Sequence, residues 1–446
     1  MIIKSVSGIR GIVGDGLDPL VVLDFAAHFG KFIKGKSVMI GRDSRSSGEA
    51  LKNAVSAGLM GVGVDVIDIG VVPTPTLLYN VKTSDVSGGI VITASHNSSE
   101  WNALKLVSAN GEFLKEKRVK EFFKQVGRAI KWEKDGKLGR EEEKGDAILN
   151  HIRGVLKSDF INASLIKKRK FKVVIDCVNG GASEAYPKFL KRLTTDVYPI
   201  FCDGNGQFPR VPEPREENLS VLKDKVKEIG ADVGFATDPD GDRLAIVTDK
   251  GKALSEEVTL VLATILILQK KKGPVVINLS TTRSMEDITK RAGVPLYRSP
   301  VGEANVVDLM KEKKAIIGGE GNGGVIFPDI QYTRDAMVAM GLILQYLLEE
   351  NEPLSHIMNT IPQYKIIKEA LRMNNKKEQL QFVEGVLRAN KGRKMDLRDG
   401  VRIEEDDRWV HVRISGTEPI IRIIAEAPTK KGAMNLYEMV KEQGRS

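Results

Sequence analysis

From Ser37 to Gly70 the chain passes from an apolar stretch, SVMIG, through a polar turn and an amphipathic segment to a second apolar stretch, VDVIDIG, which is a βαβ pattern. The pattern recurs at FKVVIDCVNGGASEAYPKFLKRL from Phe171 and at GPVVINLSTTRSMEDITKRAGVPLYR from Gly273, each time with a β-branched strand opening onto a polar loop and a helix. Each unit carries a further apolar strand ending in a polar or glycine-rich loop: GGIVITASHN, ADVGFATDPDGDR and KAIIGGEGNGG. Ligands of open α/β sheets sit beyond the carboxyl ends of the strands, so these three loops are expected to converge on one cleft. From about Ile367 the pattern becomes a helix and then the alternating strands WVHVRIS and IIRIIAEA around the turn SGTEP, predicting a small α+β domain. The expected fold is α/β, with three similar domains at 1–150, 151–252 and 253–366 and an α+β domain at 367–446.

Composition narrows the setting. A chain of 446 residues with 41% hydrophobic content can bury several cores. The longest apolar run, Val258 to Leu268, is far shorter than the roughly 20 residues that cross a bilayer, and the N-terminal MIIKSVSGIRGIVGDG lacks the pattern of a secretory signal. Cys177 and Cys202 are the only cysteines, which suits a reducing compartment, and a cytoplasmic location is expected. The net charge of +9 is compatible with nucleic acid, an anionic surface or an anionic small substrate. Much of it lies in mixed-sign stretches such as KEKRVKEFFKQ and KWEKDGKLGREEEK, which read as solvated faces, and no stretch interleaves basic and aromatic residues. The expected partner is therefore a small molecule, with no nucleic acid and no membrane, for a monomer or homodimer.

Each loop offers distinct chemistry. Ser95 ends a strand where a hydroxyl can be displayed, with His96 beside it and Lys105 downstream able to steer protons or anchor phosphate oxygens. As a turn or N-cap residue, Ser95 would need no such role. DPDGDR sets Asp238, Asp240 and Asp242 at alternate positions around Pro239 and Gly241, a spacing suited to a hard divalent cation. An EF-hand fits poorly because its sixth and twelfth positions would be Arg243 and Asp249 rather than glycine and glutamate, while a solvated acidic turn without metal stays an alternative. GGEGNGG leaves Glu320 and Asn322 among five glycines, where they can bond ligand hydroxyls. RISGTEPIIR brings Arg413, Ser415, Gly416, Thr417 and Arg422 together as guanidinium forks and turn amides that match phosphate oxygens.

SGIRG from Ser7, GRDSR from Gly41, TASHN from Thr93, DPDGDR from Asp238, GEGNGG from Gly319 and RISGTEP from Arg413, in this order and spacing, resemble the α-D-phosphohexomutases over nearly the whole chain. The resemblance implies a heart-shaped four-domain protein around a central cleft. It further implies that Ser95 is phosphorylated and completes a magnesium site with Asp238, Asp240 and Asp242. Arg10 and Lys105 would then lie near the transferring phosphoryl group with Arg243 close by, Glu320 would hold sugar hydroxyls, and Arg413 to Thr417 with Arg422 would clamp the remote phosphate.

The activity so implied interconverts hexose 6- and 1-phosphates through a 1,6-bisphosphate, which also primes the enzyme. The rival readings are a metal-dependent sugar phosphatase and an anion-binding module; a second phosphate site argues against the first and the three aspartates against the second. This chain departs from the family pattern at Ser98 (often proline), Leu244 (often acidic), Asn322 (serine) and Gly324 (histidine). The missing histidine leaves His96 and Lys105 as candidate proton carriers. PVGEANVV from Pro300 is more similar to the VGD-type loop of phosphoglucosamine mutases and their archaeal-type relatives than to the GHS loop of phosphomannomutase/phosphoglucomutase enzymes, which favours the amino sugar.

Overall fold

A computed structural model describes residues 2–5, 8–415 and 420–445. They form two compact units, one of residues 1–266 and 322–356, the other of residues 267–321 and 357–446. The stretch read from sequence as a third domain thus contributes to both units.

The first unit holds two sheets. In the first, the parallel strands Ser37–Arg42, Asp65–Val71 and Gly88–Ile92 continue into antiparallel Trp101–Ser108 and Gly8–Val13. GGIVI is buried at every position, so it forms a central strand and its end is a fixed platform for the loop that follows. Helix Pro19–Ile33 covers this sheet; Asp18 caps it by accepting a hydrogen bond from Val21 N, and Pro19 supplies the fixed φ of a first helical residue. The stretch KEKRVKEFFKQ, read as solvated, is a helix at Glu116–Phe123 with one buried edge. There Phe122 packs against Phe25, Phe29 and Phe32, because four aromatic rings outweigh the charged majority of the segment. In the second sheet Asp196–Ile200, Lys172–Asp176 and Val233–Thr237 are parallel. Leu244–Thr248 returns antiparallel, pairing Leu244 with Thr237, so DPDGDR is a hairpin loop.

In the second unit Leu296–Ser299, Val275–Asn278 and Ile317–Glu320 run parallel. A separate antiparallel sheet follows the order Lys365–Arg372, Ile420–Ala427, Trp409–Ile414, Val401–Glu404, Met395–Asp396. Helices Lys376–Ala389 and Lys430–Arg445 cover it over a core of Phe382, Val386, Val412, Ile423 and Val440. The sequence reading began this domain with a helix at Ile367; the chain instead forms a strand there. KIIKEALR carries helical spacing, but every one of its residues pairs with Ile420–Ala427, and that tertiary ladder decides its state.

Candidate active site

In the first unit the TASHN turn sits beyond Ile92. Ser95 has a left-handed φ of 51°, a conformation that costs a non-glycine residue and persists where surroundings enforce it. The enforcement comes from Arg45. Its buried guanidinium donates to the carbonyls of Ser95 (2.7 Å), Asn97 (2.7 Å), Trp101 (3.1 Å) and Ser98, and is held by Asp43 at 3.0 Å. Thr93 ties the same structure together, donating to Asp43 Oδ2 and accepting from Ser95 N at 2.9 Å.

The hairpin loop faces this turn. Ser95 Oγ donates to Asp238 Oδ2 at 3.0 Å, and Lys105 Nζ, from the strand antiparallel to Gly88–Ile92, meets Asp240 Oδ2 at 2.7 Å. Thr74 binds Asp240 twice, through Oγ1 to Oδ2 at 3.0 Å and through N to the carbonyl at 2.8 Å. Gly241, with φ of 67°, lets the chain turn between the second and third aspartates. Arg334 Nη2 hydrogen-bonds to Asp242 Oδ2. Arg243 Nη1 pairs with Glu213 at 3.0 Å, and its Nη2 donates to His96 Nδ1 at 3.0 Å, which leaves that nitrogen unprotonated. His96 Nδ1 also lies 3.4 Å from Ser95 Oγ, and Arg10 Nη1 donates to Asn97 Oδ1 at 2.8 Å.

The electrostatics follow from burial. Desolvation, then Asp240 and Asp242, push the Asp238 carboxyl well above its ordinary range. Burial acts in the same direction on Asp240, but Lys105 and hydrogen bonding outweigh it and hold that carboxyl down. Arg243, then burial and Arg10, drive the His96 imidazole well below its usual range, so it is neutral. The three aspartates can bring oxygens within 4.8 Å of one another, and Asp240 Oδ1 and Asp242 Oδ1 are buried with no hydrogen-bond partner. An oxygen-preferring dication fits this donor set, because it supplies the partner these oxygens lack and offsets the crowding of charge.

The remaining sequence-predicted residues lie mostly in the second unit. Glu320 ends the buried strand Ile317–Glu320, and its Oε1 accepts from Asn278 Nδ2 (2.9 Å) and Gly302 N (3.1 Å). Arg413 meets Asp399 Oδ2 at 3.2 Å, and Asp399 Oδ2 also accepts from Val301 N at 3.0 Å. The loop at Val301–Gly302 therefore ties Glu320 to the arginine strand. Arg413 and Arg422 stand opposite each other on adjacent antiparallel strands, an arrangement of like charges that favours an anion between them. Ser415 N donates to Ile420 O at 3.0 Å; Gly416 and Thr417 lie outside the described residues. Asn322, in the first unit, accepts from Gly324 N at 3.2 Å and so braces its own loop. Asp43, Arg45, Thr74, Glu213, Arg334, Asn278 and Asp399 were not assigned roles from sequence.

The phosphoglucomutase/phosphomannomutase alpha/beta/alpha domains I, II and III match residues 1–130, 150–251 and 254–364, and the C-terminal domain of the same family matches residues 370–443. The chain belongs to the phosphoglucomutase/phosphomannomutase family. It has the four-domain α/β fold of the phosphohexomutases and is an enzyme of their kind, an intramolecular phosphotransferase acting on hexose phosphates. It is 36% identical over 443 residues to a Thermococcus kodakarensis protein named phosphoglucomutase/phosphomannomutase, covering 97% of this chain and 96% of that one. A Methanopyrus kandleri protein named probable phosphoglucosamine mutase is 34% identical over 436 residues, with 97% and 95% covered. The crystal structure of a phosphoglucomutase/phosphomannomutase family protein from Burkholderia thailandensis superposes with a TM-score of 0.86 at 26% identity, covering 99% and 97% of the two chains. Among the described residues no helix of this phosphohexomutase is long and apolar enough to cross a membrane.

Proposed function

We propose that this phosphohexomutase interconverts glucosamine 6-phosphate and glucosamine 1-phosphate, with Ser95 as the phosphoryl carrier. The observation that carries the reading is the 3.0 Å contact between Ser95 Oγ and Asp238 within a buried acidic cluster braced by Lys105 and Arg243. Asp238, Asp240, Asp242 and a phosphoseryl oxygen would hold magnesium, which when bound neutralises charge on the transferring group. Lys105 and Arg334 pair directly with Asp240 and Asp242, Arg243 lies between Glu213 and Asp238, and a dication and a phosphoseryl dianion would add equal and opposite charge to this cluster.

In the forward half-reaction the P–O bond to Ser95 breaks as O1 or O6 of the sugar phosphate forms its own bond to phosphorus. The hydroxyl proton passes to the departing Ser95 oxygen, and neutral His96, its Nδ1 held by Arg243 and 3.4 Å from that oxygen, would orient the transfer. Lys105, hydrogen-bonded to Asp240, supplies positive charge, as Arg10 does beside Asn97. The product is a hexose 1,6-bisphosphate, which turns so that its other phosphate is returned to Ser95. Glu320 and Asn322 would bond sugar hydroxyls, while Arg413, Ser415, Gly416, Thr417 and Arg422 would hold the phosphate that is not reacting; Arg243 would bind substrate near the transfer. A trace of hexose 1,6-bisphosphate primes the serine.

Preference for the amino sugar is supported by the likeness of PVGEANVV, where the amides of Val301 and Gly302 hold Asp399 and Glu320, to the loop of phosphoglucosamine mutases. A coupled assay with glucosamine, mannose and glucose phosphates, magnesium and bisphosphate primer tests this. The highest kcat/KM is expected for glucosamine phosphate. A preference for mannose or glucose phosphate would transfer the assignment to that sugar.

A further inference from the structure

Arg334 lies outside the residues that carry or bind the phosphoryl group, yet its surroundings are built for it. Its guanidinium lies on Asp242 Oδ2, and the side chain is largely buried. To reach that carboxylate it crosses Gly324: a Cβ at this glycine would lie 2.2 Å from Arg334 Cδ and 2.8 Å from Cγ. No other residue at 324 leaves the side chain where it is.

The backbone beneath it is equally constrained. Arg334 bridges Ile326 in antiparallel register, and Asp335 N donates to Val325 O at 2.9 Å. Asp335 Oδ1 caps the buried helix Ala336–Glu350 through Met337 N and Val338 N. Its Oδ2 accepts from Gln331 Nε2 at 2.7 Å and pairs with the fully buried His151 at 2.9 Å. His151 in turn bonds Thr76, two residues from the Thr74 that holds Asp240. A single buried network therefore supports residues on both flanks of the acidic loop.

We infer that Arg334 is a positioning residue of the transfer site: it serves as the resident counter-ion of Asp242 on Oδ2, it opposes by its charge a divalent cation that enters the three aspartates through the unpartnered Oδ1 atoms, and Gly324 is the notch that admits it. The inference rests on the reading of Asp238, Asp240 and Asp242 as the metal site. A guanidinium on Oδ2 neutralises the carboxylate whose Oδ1 faces the cation and repels that cation, so it weakens cation binding, and it keeps the acidic loop in shape when no cation is bound. A purely structural arginine has the opposite signature, since its removal would disorder the loop and weaken the metal.

Binding of Mn2+ alone to the full-length protein, followed by calorimetry and by the electron paramagnetic resonance of the free ion, separates these outcomes. Arg334→Met is expected to bind Mn2+ about tenfold or more tightly than wild type, the scale of removing one positive charge from beside a divalent cation in a buried site. Its unfolding midpoint without metal should fall and its metal-induced rise should grow. Gly324→Ala leaves the arginine in the chain but evicts it from the notch, so it should shift affinity in the same direction and provides the test if Arg334→Met does not fold. Wild-type binding with equal or weaker affinity in the foldable variants would overturn the inference alone. No Mn2+ binding to wild type would overturn the metal reading and the inference with it.

Discussion

Ser95→Ala is expected to abolish net mutase turnover, by a factor of about 1,000 or more, while the protein remains folded. The side chain removed is a single hydroxyl whose bonding partner, Asp238, already lies above its ordinary carboxylate range and can be neutral without it. The turn itself is held by carbonyl contacts to Arg45 and by Thr93, none of which involves the serine side chain. Intact-mass analysis should find one phosphate on wild type after treatment with hexose 1,6-bisphosphate and none on the variant. Near-normal primed turnover by the alanine variant would remove Ser95 from the carrier role.

Asp240→Asn has the next largest expected effect, a loss on the order of 100-fold or more in kcat, as for removal of a charge-stabilising group in a water-excluded site. One of its oxygens already serves Lys105 and Thr74, and the other has no hydrogen-bond partner, so the carboxylate does two jobs at once. An asparagine can turn its oxygen to Lys105 only by presenting an amide NH2 to the cation. Magnesium should then raise the unfolding midpoint of wild type, since a ligand that binds only the folded state stabilises it, and should raise that of the variant far less. An unchanged magnesium requirement would contradict the assignment of this residue as a ligand.

The catalytic loops were legible because buried strands read as apolar runs, and polar residues gathered at their ends stand out against them. TASHN and DPDGDR follow such strands, Gly88–Ile92 and Val233–Thr237, and GEGNGG begins in the last two residues of a third, Ile317–Glu320. The strand Lys365–Arg372 was not legible, since its apolar residues at 366, 367, 370 and 371 suit a helix and only the partner strand some 50 residues later overrides them. Arg45 illustrates a different limit. GRDSR was visible as a motif, but four of the acceptors of its arginine are backbone carbonyls at residues 95 to 101, and a carbonyl leaves no trace in a residue type. Arg334 depends on an absence, the missing side chain at Gly324, which acquires meaning only when the two segments fold against each other.

The central claim is that the phosphoryl group travels through Ser95. Enzyme carrying labelled phosphate on this residue, mixed with excess glucosamine 6-phosphate and quenched within one turnover, follows that group directly. The label should leave the protein for the sugar at a rate no slower than kcat, appearing first in the 1,6-bisphosphate. Label that remained on the protein through that turnover, or left only as inorganic phosphate, would contradict the account.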